Sequence, residues 1–515
     1  MTTDSNVTAT TEQIQWKRLS PVASVYYLFK TVKAFIGQAL PSLAPLVIVL
    51  LNSDDKALIA TLAAVGFATL LVVSSLLQYW FFQYQLGDNE IKINQGVFKK
   101  QHRVINFDRI QNININQPIY FRPFKLVILV IETAGSKGGE GDLAGIGQPM
   151  AEDIRDQILQ RQSQIKASQI EAGNDAASTA ASTDTESTDE PIATASTGDL
   201  IRYGLSNNGM YILLAFMAPF FPKIEEIINY FFSKAELAAM TEALGGNLIG
   251  SIIIVVIMIA SVFLLMMLIS VLGSILKFHN YRLTLTDETL KRKSGLINTQ
   301  EESLNLSKIQ AIARQSNFIG HWLGRENLIL RQAGGGGNKQ QRRNNLFVVP
   351  ARIAEQSEQL IETLYPDHPE QIETHPINRR YIFKTLLITL ILPVLLISAP
   401  FVIQQHFWVM SFYLLPVLCY PLVAKRWRNY RYGKTDEYGL IRSGFIGHKQ
   451  VLFPLFKVQR AVISQSPVQK RRNLATLTIY LASGKMRIPY MPIEHARQWF
   501  DQIYAKIETD SRPWF

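Results

Sequence analysis

The chain has 515 residues, of which 48% are hydrophobic and only 18% charged, and its formal net charge is +11. That balance is hard to explain in an ordinary soluble chain and normal in one that spans a bilayer, with a positive excess that suits an anionic leaflet or nucleic acid, of which the spans favour the lipid. The single cysteine, Cys419, excludes an intrachain disulfide framework and a cysteine-rich metal site.

Residues 1–19 form a polar tail rich in Ser and Thr with no apolar core near Met1, so no cleavable signal peptide is expected. Val22–Phe35 interleaves Tyr26, Tyr27 and Leu28 with Lys30 and Lys33 and is expected to lie along a membrane interface. Ala34–Leu51 and Ala57–Phe82 then read as two spans, since each is close to the length of uncharged, apolar chain a bilayer requires. A strand-rich segment and an amphipathic helix over Ala151–Ile165 follow, with Ile154, Ile158 and Leu159 on the apolar face. Gln162–Asp199 is dominated by Ser, Thr, Ala, Asp and Glu and predicts a disordered linker, because it cannot bury enough surface to offset chain entropy.

The sequence then repeats itself. Tyr203–Pro222 and Asn247–Leu276 are the next pair of spans, followed by strands and a helix over Ala351–Leu364. A short Pro-containing linker, Tyr365–Asn378, leads to spans at Thr385–Ile403 and Phe407–Ala424, then to strands and a helix over Ile493–Ile507. Each helix is preceded by a proline, Pro149, Pro350 or Pro492, which favours a helix start. The parse is a tail at 1–19, hairpins at 20–82, 200–278 and 381–426, β-rich units at 83–165, 279–364 and 427–510, and linkers at 166–199 and 365–380.

Spacing within the units is fixed. Asp88, Asp287 and Asp436 each precede a glycine by eight residues, at Gly96, Gly295 and Gly444. Fourteen residues after each glycine comes the centre of a basic-apolar-Gln triplet: Arg109-Ile110-Gln111, Lys308-Ile309-Gln310 and Lys457-Val458-Gln459. Alternation at Ile105/Phe107, Leu304/Leu306 and Phe453/Leu455 has the period of a half-buried strand. The glycines are expected at positive φ in turns. One departure stands out: Gln117 and Gln465 fall six residues after the triplet Gln, whereas Gln315 falls five after Gln310.

A strand-rich unit with a terminal helix, the Gly-then-apolar step and the triplet resemble the bacterial pleckstrin-homology-like (PH-like) domain. Three copies behind three hairpins resemble the multi-copy membrane proteins of that family. The resemblance implies an α+β membrane protein: six transmembrane helices in three hairpins, plus three small antiparallel units each closed by a C-terminal helix. It implies no catalytic residue and a smaller single-domain PH-like companion as partner; no cofactor or metal is expected, and self-association is the other partner expectation.

Charge sets the expected orientation. The hairpin tips hold only Lys56, Lys223 and Lys234 among 52 Lys and Arg residues, while Arg379, Arg380, Lys384, Lys425, Arg426 and Arg428 flank the last hairpin on the other side. Both termini and all three units are therefore expected in the cytoplasm of a bacterial plasma (inner) membrane. Aromatic belts at Tyr79–Phe82 and around Trp427 agree.

Gly433-Lys434-Thr435 lacks the upstream glycine of a phosphate-binding loop, the eight histidines show no ligand spacing, and no Gly-x-Ser-x-Gly elbow occurs. The basic clusters carry the sharper expectation of contacts with anionic headgroups or acidic partners. These are Lys99, Lys100 and Arg103; Lys291, Arg292 and Lys293; Lys470, Arg471 and Arg472; and the repeated Arg109, Lys308 and Lys457. The plainer alternative is a solvated face that also fixes topology. The leading functional expectation is a non-enzymatic scaffold or adaptor. A component of a transport or export system is the alternative, weakened by spans whose centres lack charged residues. A lipid-acting enzyme using His279 and His448 is the third reading.

Overall fold

The alternating runs of each repeat form antiparallel strands, and the fixed spacings fall at the turns between them. The computed structural model describes residues 16–35, 56–133, 141–171, 191–206, 234–243, 247–333, 346–403 and 412–512, except positions 88, 98, 287, 370, 446 and 511. Most of the first and third expected spans, the start of the sixth, the run 334–337 and the middle of the acidic linker lie outside these residues. The chain divides into two compact units. The first comprises Met1–Thr188, Ile297–Ser303 and Gly336–Gln341; the second comprises the rest.

In the first unit, β1 (Gln83–Leu86), β2 (Glu90–Gln95) and β3 (Gln101–Asn106) form an antiparallel meander in which β3 is an edge. The β2–β3 turn depends on Gly96, at φ +106°, where a Cβ would lie 2.1 Å from the Lys99 carbonyl oxygen. A single 3-10 turn, Phe107–Arg109, swings the chain into a second meander of β4 (Ile110–Pro118), β5 (Leu126–Thr133) and β6 (Gly141–Gly147). The ladder between β4 and β5 skips Gln111, so the repeated Gln is the extra residue of a β-bulge. The helix Gln148–Glu171 closes the module, burying Ala151, Ile154 and Ile158 against Ile91, Ile105, Leu129 and Ile131. Burying each of those isoleucines contributes about 2 kcal/mol. This helix runs on into the expected linker, and its expected C-terminal limit at Ile165 is corrected to Glu171.

The plan recurs twice in the rest of the chain, with Ile297–Ser303 belonging to the first unit. β7 (Ala193–Thr194) pairs with β8 (Arg282–Thr286), which pairs with β9 (Thr289–Ser294). β10 (Asn298–Asn305) ends in the 3-10 turn Leu306–Lys308, and β11 (Ile309–Ser316), β12 (Glu326–Gln332) and β13 (Phe347–Arg352) follow. The third copy supplies β14 (His375–Pro376), β15 (Arg431–Lys434), β16 (Tyr438–Ser443), β17 (His448–Pro454), β18 (Val458–Ser464), β19 (Leu474–Leu481) and β20 (Gly484–Pro492). Its closing helix is Ile493–Thr509, with Trp499 and Ile503 buried. In the second copy the helix is Ala354–Leu364, because Pro350 lies inside β13, an edge strand that tolerates a missing N–H, rather than at the helix start.

Two features depart from a simple series of hairpin followed by module. The segment ahead of each expected hairpin pairs with the first strand after it, through Lys17 with Tyr84, β7 with β8, and β14 with β15. The region 193–199, expected to be disordered, thus holds a strand and the start of a helix, Thr197–Leu205, fixed by a Ser196/Asp199 capping box. The second departure is that modules share sheets. One seven-stranded sheet runs β13-β12-β11-β17-β16-β15-β14, joining the last strands of the second module to the first strands of the third. Leu440 and Leu452 sit in the second module's core beside Ile312 and Leu328, and Ala311 and Ala313 sit in the third's beside Tyr432 and Phe453.

Among the described residues, two helices are long and apolar enough to cross a membrane: Ala260–Phe278, within the 32-residue helix Asn247–Phe278, and Arg380–Pro400. A shorter apolar helix covers Ala64–Trp80. The helix Thr197–Leu205 packs against Asn247–Phe278 at Gly204, where Ser270 Oγ donates to the Gly204 carbonyl at 2.8 Å. A Cβ on Gly204 would lie 2.5 Å from Val271 Cα, so the close approach requires glycine. Gly250, near the start of Asn247–Phe278, is buried.

Candidate functional site

The ladder between β11 and β17 pairs Ile312 with Leu452, Arg314 with Gln450 and Ser316 with His448. Behind it the side chains form a charged clasp. Arg314 Nε donates to Glu326 Oε1 at 2.8 Å, and its Nη1 donates to the Glu358 carboxylate on the closing helix. Glu326 is 4% exposed, and its second oxygen is hydrogen-bonded to His448 Nε2 of the third module at 2.9 Å. Burial alone would push the Glu326 carboxyl up. The hydrogen bond from His448 and the Arg314 guanidinium outweigh it and hold the group below its ordinary value.

Lys457 completes the seam. It is 5% exposed, and its Nζ donates to the carbonyls of Ser307 at 2.8 Å and Ile309 at 2.6 Å. Burial, with a smaller push from Arg512, takes its pKa down to about 8. Above the ladder lies a cavity of about 280 Å³ with an apolar floor of Ile312, Ile361 and Leu452 and a rim of Arg314, Glu358 and Arg442.

A second cavity, of about 240 Å³, lies in the first unit where the helix Lys56–Trp80 meets its module. It is lined by Arg18, Trp80, Phe81, Lys100 and His102. The Arg18 guanidinium stacks 5.2 Å from the centre of the Trp80 ring, and Trp80 is 61% exposed. An exposed Trp beside cations at the end of an apolar helix belongs at headgroup depth.

The structure distributes the twelve candidate contact residues among unlike positions. Lys99 and Lys100 are exposed after the Gly96 turn, Arg103 is half-buried on β3, and Arg109 is exposed. On β9, Lys291 is half-buried and Lys293 exposed, while Lys470, Arg471 and Arg472 are exposed between β18 and β19. Two are corrected. Arg292 is buried with its guanidinium 4.9 Å from the Phe347 ring centre, and Lys457 is committed to carbonyls of the second module, so neither side chain is available to a lipid. The repeated basic position therefore shares a backbone role, ending a 3-10 turn, without sharing a surface: Arg109 is exposed, Lys308 half-buried and Lys457 buried. The triplet glutamines likewise differ, with Gln310 buried and Gln459 exposed.

The apparent register departure at Gln315 resolves at the next residue. Gln117 Nε2 donates to the Leu126 carbonyl and Gln465 Nε2 to the Leu474 carbonyl; in the second module Ser316 Oγ donates to the Arg325 carbonyl at 3.0 Å. Ser316 fills the slot that Gln fills elsewhere. The clasp of Arg314, Glu326, Glu358 and His448 was not foreseen, because these residues are divided between the second and third copies and share no short spacing. Among the described residues, no group of three His, Cys, Asp or Glu side chains is placed to hold a metal.

The profile of the bacterial PH domain family matches this chain three times, at residues 31–162, 235–368 and 383–507. The chain belongs to the bacterial PH domain family. Each match runs from an apolar helix into the module after it. This PH-domain chain is also similar to the UPF0699 transmembrane protein YdbT of Bacillus subtilis (strain 168), with 23% identity over 473 residues, covering 91% of this chain and 93% of the relative. Bacterial PH modules in a chain akin to a transmembrane protein, with apolar helices of spanning length, make this a membrane protein and point to a non-catalytic role.

Proposed function

We propose that this protein is a multi-pass membrane scaffold: six spans in three hairpins hold three PH-like modules at the cytoplasmic face of a bacterial plasma membrane, where they dock protein partners, each other or anionic lipid. The observation that carries the reading is the β11–β17 ladder with its Glu326–His448 clasp, which makes the second and third modules one continuous sheet. Modules fused in this way hold binding surfaces at fixed spacing, and linked surfaces raise effective concentration. A smaller single-domain PH-like protein is one such partner, and the Arg18–Trp80 cavity is the place where the first module meets lipid.

Reporter fusions at Gln162 and after Phe515, combined with capture of the full chain from crosslinked membranes, test this reading. Cytoplasmic signals from both fusions and recovery of a partner or of the chain itself are expected. Reporters on opposite sides of the membrane, or a chain that recovers neither protein nor anionic lipid, would overturn it.

A further inference from the structure

The two junctions between successive modules are built in one register. At the first, within the first unit, Thr299, four residues after Gly295, faces Gln117, seven after Ile110; Glu302, seven after Gly295, faces Asn114, four after Ile110. At the second, His448, four residues after Gly444, faces Ser316, seven after Ile309; Val451, seven after Gly444, faces Ala313, four after Ile309. In both cases the third strand of the later module adds antiparallel to the first strand of the earlier module's second meander. The bulge at the triplet Gln precedes the paired stretch at β4 and β11, and an identical shift occurs in β18.

The series leaves two ends. Among the described residues β18, the counterpart of β4 and β11, pairs only with β19 and terminates its sheet. Among the described residues β3, the counterpart of β10 and β17, pairs only with β2 and terminates its own sheet. The exposed side of β18 carries little of the usual protection: the strand has no proline, its one charge, Arg460, directly follows the bulge, and the stretch Ala461-Val462-Ile463-Ser464 beyond it is uncharged.

We infer that β18 of one chain accepts β3 of a second copy, continuing head to tail the seam that joins the modules within the chain. Applying the common register puts Gln101 opposite Ser464, His102 opposite Ile463 and Val104 opposite Ala461, and no pair sets like charges face to face. A contact of this kind uses two different surfaces of the same chain, so it generates rows or closed rings rather than an isolated twofold dimer. The inference rests on the scaffold reading and makes its self-association specific.

The test uses full-length chains in a Cys419→Ser background. His102→Cys and Ile463→Cys variants with different tags are co-expressed in one cell, and their membranes are treated with a short bismaleimide. A Gln315→Cys/Lys449→Cys chain, whose two positions face each other across β11 and β17, supplies an intrachain control for intact folding. The expected result is a linked pair carrying both tags, absent when either variant is expressed alone. No mixed product with the control intact, or Ile463→Cys chains linking to one another, overturns the inference. So does linkage of Ile463→Cys only to a different protein, but that result leaves the scaffold reading standing.

Discussion

His448 Nε2 lies 2.9 Å from Glu326 Oε2 across 122 residues of sequence, binding the first residue of β17 to a carboxylate buried in the second module. Because the Glu326 carboxyl is held below its ordinary value of 4.5, its ionised form favours the folded seam. That contribution is fully present above pH 4.5 and is lost as pH falls through the depressed folded value. Glu326→Ala is expected to cost about 3 kcal/mol by leaving Arg314 and His448 short of a buried partner. Unfolding of the purified full chain followed against pH should show acid sensitivity that this variant flattens.

Lys457 responds in the opposite range. Its folded pKa, near 8, is below the ordinary 10.5, so the proton is the destabilising species. The penalty is complete below pH 8 and is relieved as pH rises from 8 to 10.5, a gain of about 3 kcal/mol at most. Denaturant midpoints at pH 7.5 and pH 10 should differ in that direction for the native chain. Lys457→Met should remove the difference; an unchanged slope would show that another group is responsible.

Gly204 lies tight against the neighbouring helix, with its carbonyl held by Ser270. Gly204→Ala should force the helix Thr197–Leu205 away from Val271, a backbone neighbour that cannot yield as a flexible side chain would. A loss of about 1–3 kcal/mol is expected, read as a lower melting temperature in detergent. Gly66, whose Cβ would meet nothing within 4 Å, should accept Ala without loss.

Arg18 stacks on Trp80 at the rim of the first-module cavity. If that cavity meets headgroups, Arg18→Glu should reduce the anionic lipid retained through purification while leaving zwitterionic lipid unchanged. Each cation near an anionic leaflet contributes about 1 kcal/mol. Equal retention in the variant and native chain would place the lipid contact elsewhere.

Lys125 sits at φ +51°, directly before β5. The equivalent positions before β12 and β19 hold Gly324 and Asn473, also at positive φ, separated from the following strand by one residue and none respectively. Asn tolerates this left-handed conformation better than Lys. Lys125→Asn is therefore expected to raise stability by about 0.5 kcal/mol, measured as a small upward shift in melting temperature.

The repeated glycines, the triplets and the period-two alternation were readable in the sequence because each reflects a local demand of the backbone. Gly96 must turn at positive φ, Arg109 must end a 3-10 turn, and Gln111 must sit at a bulge, and these demands recur wherever the module recurs. Membrane-spanning character was legible for the same reason, since apolar length is a property of a continuous segment. Sheet sharing was not. Pairing Ala313 with Val451 depends on which strand edges meet after folding, and backbone amides and carbonyls carry no sequence label that identifies their partner. The fates of Arg109 and Lys457 show the result: sequence made them equivalent, and the neighbouring module alone decided that one stays exposed while the other is buried against two carbonyls.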